Sequence, residues 1–298
     1  MATIDYKWYS GTDEYSDGDI ENDILGYFKK YGSKHLEKVF RHDDRWATFY
    51  HLTPLRENIV KFYEFKPGAS VLEVGAGFGA VTGALCEKAK HVTAVELSKR
   101  RAEGLYERHK KRKNLDVLVG NLNDISFPEK FDYITLIGVL EYALSFTVSE
   151  HPYEDFLTGI RSLLKPDGKL LIAIENRYGL KYWCGAPEDH TGKPFDGING
   201  YEGVAFVRTF GKAELSELLN SCGFRSLKYY YPYPDYKMPL AVFSDENLPA
   251  DAGALTNIID PHPYDSELIP DEKALIPSLV RNGVFPFFSN SFFVEAGF

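Results

Sequence analysis

Cysteine is scarce: the 298-residue chain has three, Cys86, Cys184 and Cys222, widely spaced and with no CxxC pair. A disulfide framework or a thiolate zinc site needs paired or clustered thiols, so neither is expected. Long apolar runs are absent too. No stretch approaches the roughly 20 residues that span a bilayer, and the opening MATIDYKWYSGTDEYSDGD has neither the basic flank nor the apolar core of a secretory signal. The expectation is a cytoplasmic protein that does not insert into membranes. Positive charge is in deficit, with 34 Lys+Arg against 43 Asp+Glu and a net charge of −9. Such a balance gives no electrostatic footprint for a phosphate backbone, and no nucleic-acid partner is expected. The basic cluster RHKKRK, Arg108 to Lys113, reads as a solvated helix end before Asn114.

What is present is enough for a full core: 44% of residues are hydrophobic and 26% charged. The centre of the chain alternates between two patterns. SVLEVG, HVTAVEL, LDVLVG, FDYITLIG and GKLLIAIE read as strands. GAVTGALCEKA, the Ser98-capped SKRRAEGLYERHKKR, YEDFLTGIRSLL and GKAELSELLNSCG read as helices, the turn KPDG leading into the fifth strand. SLKYYYPY and NSFFVEA are further candidate strands. Strands alternating with helices predict an α/β fold with a parallel, doubly wound sheet. One domain is expected over residues 1–298. It comprises an N-terminal helical extension (1–66), a cofactor-binding core (67–232) with a substrate loop (175–205), and an irregular insertion with the final strand (233–298).

Gly75, Gly77 and Gly79 fall where the first central strand turns into its helix. That turn lies at the carboxyl edge of such a sheet, where ligands bind and missing Cβ atoms admit them to the main chain. Gly75, Gly77 and Ala80 satisfy the dinucleotide pattern G-x-G-x-x-[GA], and Glu96 follows Gly75 by 21 residues, where an acid for ribose hydroxyls belongs. On these residues alone a nicotinamide dinucleotide and other nucleoside cofactors remain open.

Five segments in order resemble the motifs of class I S-adenosylmethionine-dependent methyltransferases: LEVGAGFG, the Glu96 strand end, VGNLND, FDYITLIGVLEY and LLKPDGKLLIAIEN. The resemblance implies S-adenosyl-L-methionine as cofactor and a Rossmann-like, mostly parallel seven-stranded sheet. It implies a cofactor site of Glu73, Gly75, Ala76, Gly77, Gly79, Glu96, Leu97, Asn121, Leu122 and Gly138, capped by Tyr50 and Arg56 from the segment Thr48 to Val60. Asn121 stands where the family usually has aspartate, and its amide can still bond the adenine amino group. Methyl transfer is mainly a positioning task, although an alcohol acceptor needs a group to take its proton.

The loop ENRYGLKYWCGAPEDHTGKPFDGINGY mixes polar and aromatic side chains suited to a substrate. His190 is the candidate base, oriented by Asp189 or Glu188, with Glu141 and His51 as rivals. Tyr142, Glu175, Asn176, Arg177, Tyr178 and Tyr182 are the candidate substrate residues. Each has a bland alternative as an anchor of its loop. No metal site is expected, because neighbours such as Glu188, Asp189 and His190 rarely point at one ion.

From Arg45 onward the chain also resembles a methyltransferase subgroup found beside or fused to glycosyltransferases in bacterial surface-polysaccharide assembly. The segments are WATFYHLTPLREN, IGVLEYA, IENRYGLKYWCGAPEDH and YYPYPDYKMP. That likeness implies a sugar or glycan hydroxyl as acceptor and a glycosyltransferase as partner or fused domain. A nicotinamide-dependent oxidoreductase and a non-catalytic nucleotide-binding module of a glycan assembly complex remain the alternatives.

Overall fold

The computed structural model describes residues 1–250, 255 and 272–298. The remaining residues of the expected insertion lie outside the described set. The chain divides into two compact units, one of residues 1–136 and 162–169, the other of residues 137–161 and 170–298.

The first unit holds β1 (Thr3–Trp8), α1 (Ile20–Tyr31), α2 (Trp46–Leu52), α3 (Asn58–Lys61), β2 (Ser70–Val74), α4 (Thr82–Lys88), β3 (His91–Glu96), α5 (Lys99–His109), β4 (Leu115–Gly120) and β5 (Phe131–Ile137). Its strands run in the order β1-β4-β3-β2-β5, and every pairing among them is parallel. Val71, Leu72, Val92, Ala94, Val117 and Ile134 are all fully buried, as continuous apolar runs in a sheet covered on both faces must be. Asp132 ties β2 to β5: its carboxylate accepts from Ser70 N at 2.8 Å and pairs with Lys66 and Lys165.

The second unit contains α6 (Ala143–Phe146), α7 (Pro152–Ser162), most of the inner half of β6 (Leu164–Glu175), α8 (Leu180–Trp183), α9 (Lys212–Ser221), β7 (Ser226–Tyr233), β8 (Ala241–Ser244), α10 (Glu272–Arg281), α11 (Phe285–Phe288) and β9 (Ser291–Gly297). Here β9 pairs antiparallel with both β6 and β7, and β7 pairs antiparallel with β8. Gly211 begins α9, and the Glu214 carboxylate reaches back to accept from its N–H at 2.8 Å.

The Rossmann-like class expected from the sequence holds, with a different sheet. Among the described residues nine strands, parallel and antiparallel, stand in place of the seven mostly parallel ones. β1 arises in the segment read as helical because TIDYKW has no apolar run; it forms an exposed edge on β4. β8 is four half-buried residues inside the stretch read as irregular. The expected helix from Thr48 to Val60 is also broken. Pro54 cannot continue it, so Thr53 turns extended and its hydroxyl caps a short 3-10 turn, Pro54–Glu57.

One contact sets the packing of the first unit. Phe78, in the glycine-rich turn after β2, is 1% exposed and lies between the rings of Phe28 and His51. Gly104 of α5 faces it, and a Cβ there would strike the Phe78 ring. Alanine at an open helix site gains about 1 kcal/mol over glycine, whereas overpacking a buried site costs about 1–3 kcal/mol. Overpacking is the larger effect here, because neighbours on both sides hold the ring. Gly104→Ala is expected to lower stability by about 1 kcal/mol in urea unfolding; an unchanged or raised midpoint would show that the ring gives way.

Candidate functional site

The turn between β2 and α4 is built by its neighbours. Gly75 N and Ala76 N donate to Val95 O at 2.9 and 3.1 Å. Gly77 N donates to Glu96 Oε2 at 2.7 Å, and Ser98 N to Glu96 Oε1 at 2.8 Å. α5 holds the other side of the turn. Arg108 Nη1 donates to His51 O at 2.8 Å and, more weakly, to Phe78 O at 3.4 Å, while His109 Nε2 meets Gly79 O at 2.8 Å. Burial lowers the Arg108 pKa to about 10 and the His109 pKa to about 3. His109 is therefore neutral and bonds the carbonyl as its Nε2–H tautomer. The start of RHKKRK is thus buried, contrary to its reading as a solvated helix end.

The three glycines differ in what requires them. At Gly79 an added Cβ would press on Leu105 and His109, so glycine there serves the packing of α5. At Gly77, φ is +56° and the Cβ direction opens onto free space. The main chain is bare there on a face that no protein atom fills.

Two buried polar atoms nearby have no hydrogen-bond partner: Glu73 Oε2 and Arg56 Nη1. Arg56 stacks on Tyr50, its guanidinium carbon 3.9 Å from the ring centroid. Burial, with the charge of Glu96 adding to it, raises the Glu73 pKa to about 8. Asn121 Oδ1 accepts from Asn123 N at 3.0 Å at the head of the turn Leu122–Asp124, and Leu97 and Leu122 are half-buried. His51, the rival base, is buried against Phe78, bonds Asp17 at 3.0 Å and is lowered by burial to about 4.

The second unit gathers a different set. Gly138, with φ +69°, follows β5, and the short turn Leu140–Tyr142 carries Glu141. The Glu141 carbonyl accepts from Arg208 N at 3.1 Å and Tyr153 Oη at 3.2 Å. Its carboxyl is 1% exposed and raised to about 8 by burial and then by the charge of Glu175. Glu175 ends β6 and accepts from Tyr236 Oη and Lys237 Nζ. His190 Nδ1 bonds Glu188 Oε1 at 2.8 Å, and its Nε2 faces Glu141 Oε1 at 3.9 Å. Burial opposes the imidazolium, but the Glu188 bond and the charges of Glu175, Glu188 and Glu141 outweigh it and raise His190 to about 9. At neutral pH its imidazole already carries the proton that a base would have to accept.

Asp189 does not orient His190. It pairs with Lys181 at 2.9 Å and with Lys237, while Lys181 also meets Asp235 at 3.3 Å. Asn176 and Arg177 are spent on their own loop. Asn176 Nδ2 donates to Phe287 O and Ser289 O, and Arg177 donates to Gly197 O and pairs with Glu214. Tyr178 stacks on Phe287, Tyr142 meets the His190 ring edge-on, and Tyr182 is buried with an unpartnered Oη. Lys237 and Asp235 escaped the sequence reading. Their signal was a lysine and an aspartate inside an aromatic, buried segment, where unpaired charge is rare.

Residues 72–172 match the family model described as a methyltransferase domain. The matched segment, about a third of the chain, is similar to that domain. Its cofactor is S-adenosylmethionine, which sets aside the nicotinamide reading. The first unit fits that cofactor, because the unpartnered Oε2 of Glu73 and Nη1 of Arg56 suit the ammonium and carboxylate of an amino acid.

Among curated proteins, the methyltransferase domain is similar to the probable ribosomal RNA small subunit methyltransferase A of Methanosarcina acetivorans. That match is 36% identical over 93 residues, 31% of this chain and 34% of that protein. It is likewise 31% identical over 130 residues to ribosomal RNA small subunit methyltransferase A of Malacoplasma penetrans, 43% of this chain and 44% of that protein. The chain thus spans between a third and a half of the length of these relatives. Among solved structures it shares its fold with the CcbJ methyltransferase of Streptomyces caelestis, at 15% identity and a TM-score of 0.51 over 91% of this chain and 97% of that one.

One expectation is corrected. The sequence reading excluded nucleic acid and named a sugar or glycan acceptor with a glycosyltransferase partner, whereas the relatives of the methyltransferase domain are named for ribosomal RNA. The exclusion of nucleic acid rested on net charge, which averages over the whole chain. Among the described residues no helix is long and apolar enough to cross a membrane.

Glu73 gives a pH test of the cofactor cradle. The folded state holds its proton more tightly than the unfolded chain, so its stabilising contribution is full below about 4.5 and is lost as pH rises through about 8. Glu73→Gln removes that loss. The stability of the variant relative to wild type is expected to rise by on the order of 2 kcal/mol between about pH 5 and pH 8 in urea unfolding. A difference that stays constant across the window contradicts a protonated Glu73. Effects of His51 and His109 cancel in the comparison.

Proposed function

We propose that the protein transfers a methyl group from S-adenosylmethionine, with the first unit holding the cofactor. The observation that carries this reading is the pair of unpartnered buried atoms, Glu73 Oε2 and Arg56 Nη1, in the same unit as the glycine turn that is open at Gly77. When bound, the cofactor supplies an electrophilic sulfonium methyl. Glu73 takes the ammonium of its amino-acid part and Arg56 the carboxylate, each a charge-assisted bond in a site shielded from water. Glu96 already spends one lone pair of each oxygen on the turn and offers the others to the ribose hydroxyls. Asn121 and Leu122 edge the adenine. The contribution of the chain is chiefly orientation, since the displacement needs its two reactants held in line.

For the acceptor, the names of the relatives make small-subunit ribosomal RNA the first candidate. A local feature favours it despite the net charge of −9. A cavity of about 580 Å³ in the first unit is edged by Lys29, Lys30, Lys34, Lys110, Lys111 and Arg112, which outnumber Glu37, Glu57 and Glu107 in its lining, Lys110 and Arg112 being paired with Glu107 and Glu87. Such a patch supplies phosphate contacts that total charge conceals.

Isothermal titration is expected to show S-adenosylhomocysteine binding to the wild-type protein and no binding to Gly77→Val, whose side chain fills the open face; full affinity in that variant rejects the cradle. Labelled methyl is expected to enter small-subunit ribosomal RNA and to vanish on ribonuclease treatment, with Lys110→Glu/Arg112→Glu lowering incorporation at least about 10-fold at moderate salt. Cofactor binding with no label in RNA would reject the acceptor and leave the cofactor reading standing.

A further inference from the structure

Three side chains of the second unit converge from separate parts of the chain: Glu141 on the turn after β5, Glu175 at the end of β6, and His190 in the loop beyond α8. Each offers a ligand atom, and those atoms lie within 4.8 Å of one another. Acidic clusters alone carry little meaning, but this one has unfilled bonds. Glu141 and Glu175 are 1% and 0% exposed, and Glu141 Oε2 and Glu175 Oε2 have no hydrogen-bond partner. Leaving such oxygens unsatisfied costs about 1–3 kcal/mol each, more for a charged group.

The histidine is prepared in a particular way. Its Nδ1 is committed to Glu188 Oε1 at 2.8 Å, which leaves Nε2 free to face Glu141. Glu188 is fixed in turn by His190 N and Thr191 N, both at 2.7 Å, and by Tyr201 Oη at 3.1 Å. A carboxylate that sets ring orientation and tautomer in this way is the usual outer support of a metal-bound histidine. Charge balance points the same way. Among the described residues the acids Glu141, Glu175, Glu188, Asp189 and Asp235 face Lys181, Lys237 and one imidazole, so acids outnumber bases, and a divalent ion would displace the protons that Glu141 and His190 otherwise hold.

We propose that Glu141, Glu175 and His190 bind a divalent metal ion through two carboxylate oxygens and the imidazole Nε2, with Glu188 as the positioning residue. The mixed oxygen and nitrogen donors suit Mn2+ or Zn2+ better than Ca2+, which prefers oxygen alone. Three protein ligands leave coordination positions open for water or for oxygens of a substrate. The three ligands are not neighbours in the sequence, and of the adjacent trio Glu188 bonds His190 while Asp189 turns to Lys181 and Lys237.

Chelator-treated full-length protein titrated with MnCl2, followed by loss of the free Mn2+ signal in electron paramagnetic resonance, is expected to show one site. Glu141→Gln and Glu175→Gln each lose at least about 10-fold in affinity, and Glu188→Gln about 10- to 100-fold. Bound Mn2+ also raises the thermal midpoint of the wild-type protein. Two results overturn the proposal: folded wild-type protein that binds neither Mn2+ nor Zn2+ at millimolar concentration, or affinity retained in both glutamine variants. The first needs no variant to fold. Because the readout is metal binding, failure here is distinct from failure of the methyltransferase reading, which is judged by S-adenosylhomocysteine binding.

Discussion

The cofactor turn depends on α5. Phe78 anchors the turn in the core, Arg108 and His109 take up the carbonyls of Phe78 and Gly79, and Gly104 leaves room for the ring. With one side clamped, only the other side, where Gly77 faces open space, can meet a ligand. The clamp relies on burial: His109 is neutral because charging it there costs too much, and a neutral ring can still donate to Gly79 O. A turn held this way presents its N–H groups and bare backbone without paying for order when the ligand arrives.

Buried charge is handled differently in the two units. In the first unit much of it is satisfied, as at Asp132 with Ser70, Lys66 and Lys165, and Glu73 Oε2 and Arg56 Nη1 are among the buried atoms left over. In the second unit a network of carboxylates and lysines leaves Glu141 Oε2 and Glu175 Oε2 without partners, as it does Asp196 Oδ2 and Tyr182 Oη. A folded chain keeps such groups only where their cost is offset elsewhere or where a ligand completes them. Both sets therefore read as sites, of different chemistry.

Much of the first unit was legible from sequence. Apolar strands separated by capped helices fix a parallel sheet, and the spacing of Glu73, the glycines and Glu96 places the cofactor segment at its edge. Legibility ended where a role depends on long-range partners. RHKKRK looks solvated until α5 is folded against the turn, and Asn176 and Arg177 look like substrate groups until Phe287, Gly197 and Glu214 are brought to them. The weak strands β1 and β8 lacked apolar periodicity, because each relies on a single partner strand rather than on its own burial. The expectation of no nucleic-acid partner rested on net charge, which is a sum over the chain, while recognition is local.

The central claim is that Glu73 and Arg56 are kept unpartnered for the amino-acid end of the cofactor. Isothermal titration of the wild-type protein with S-adenosylhomocysteine and with 5′-methylthioadenosine, which lacks that end, tests it most directly. The account predicts that S-adenosylhomocysteine binds at least about 100-fold more tightly, the worth of two charge-assisted bonds in a buried site. Equal affinity for the two ligands would contradict it.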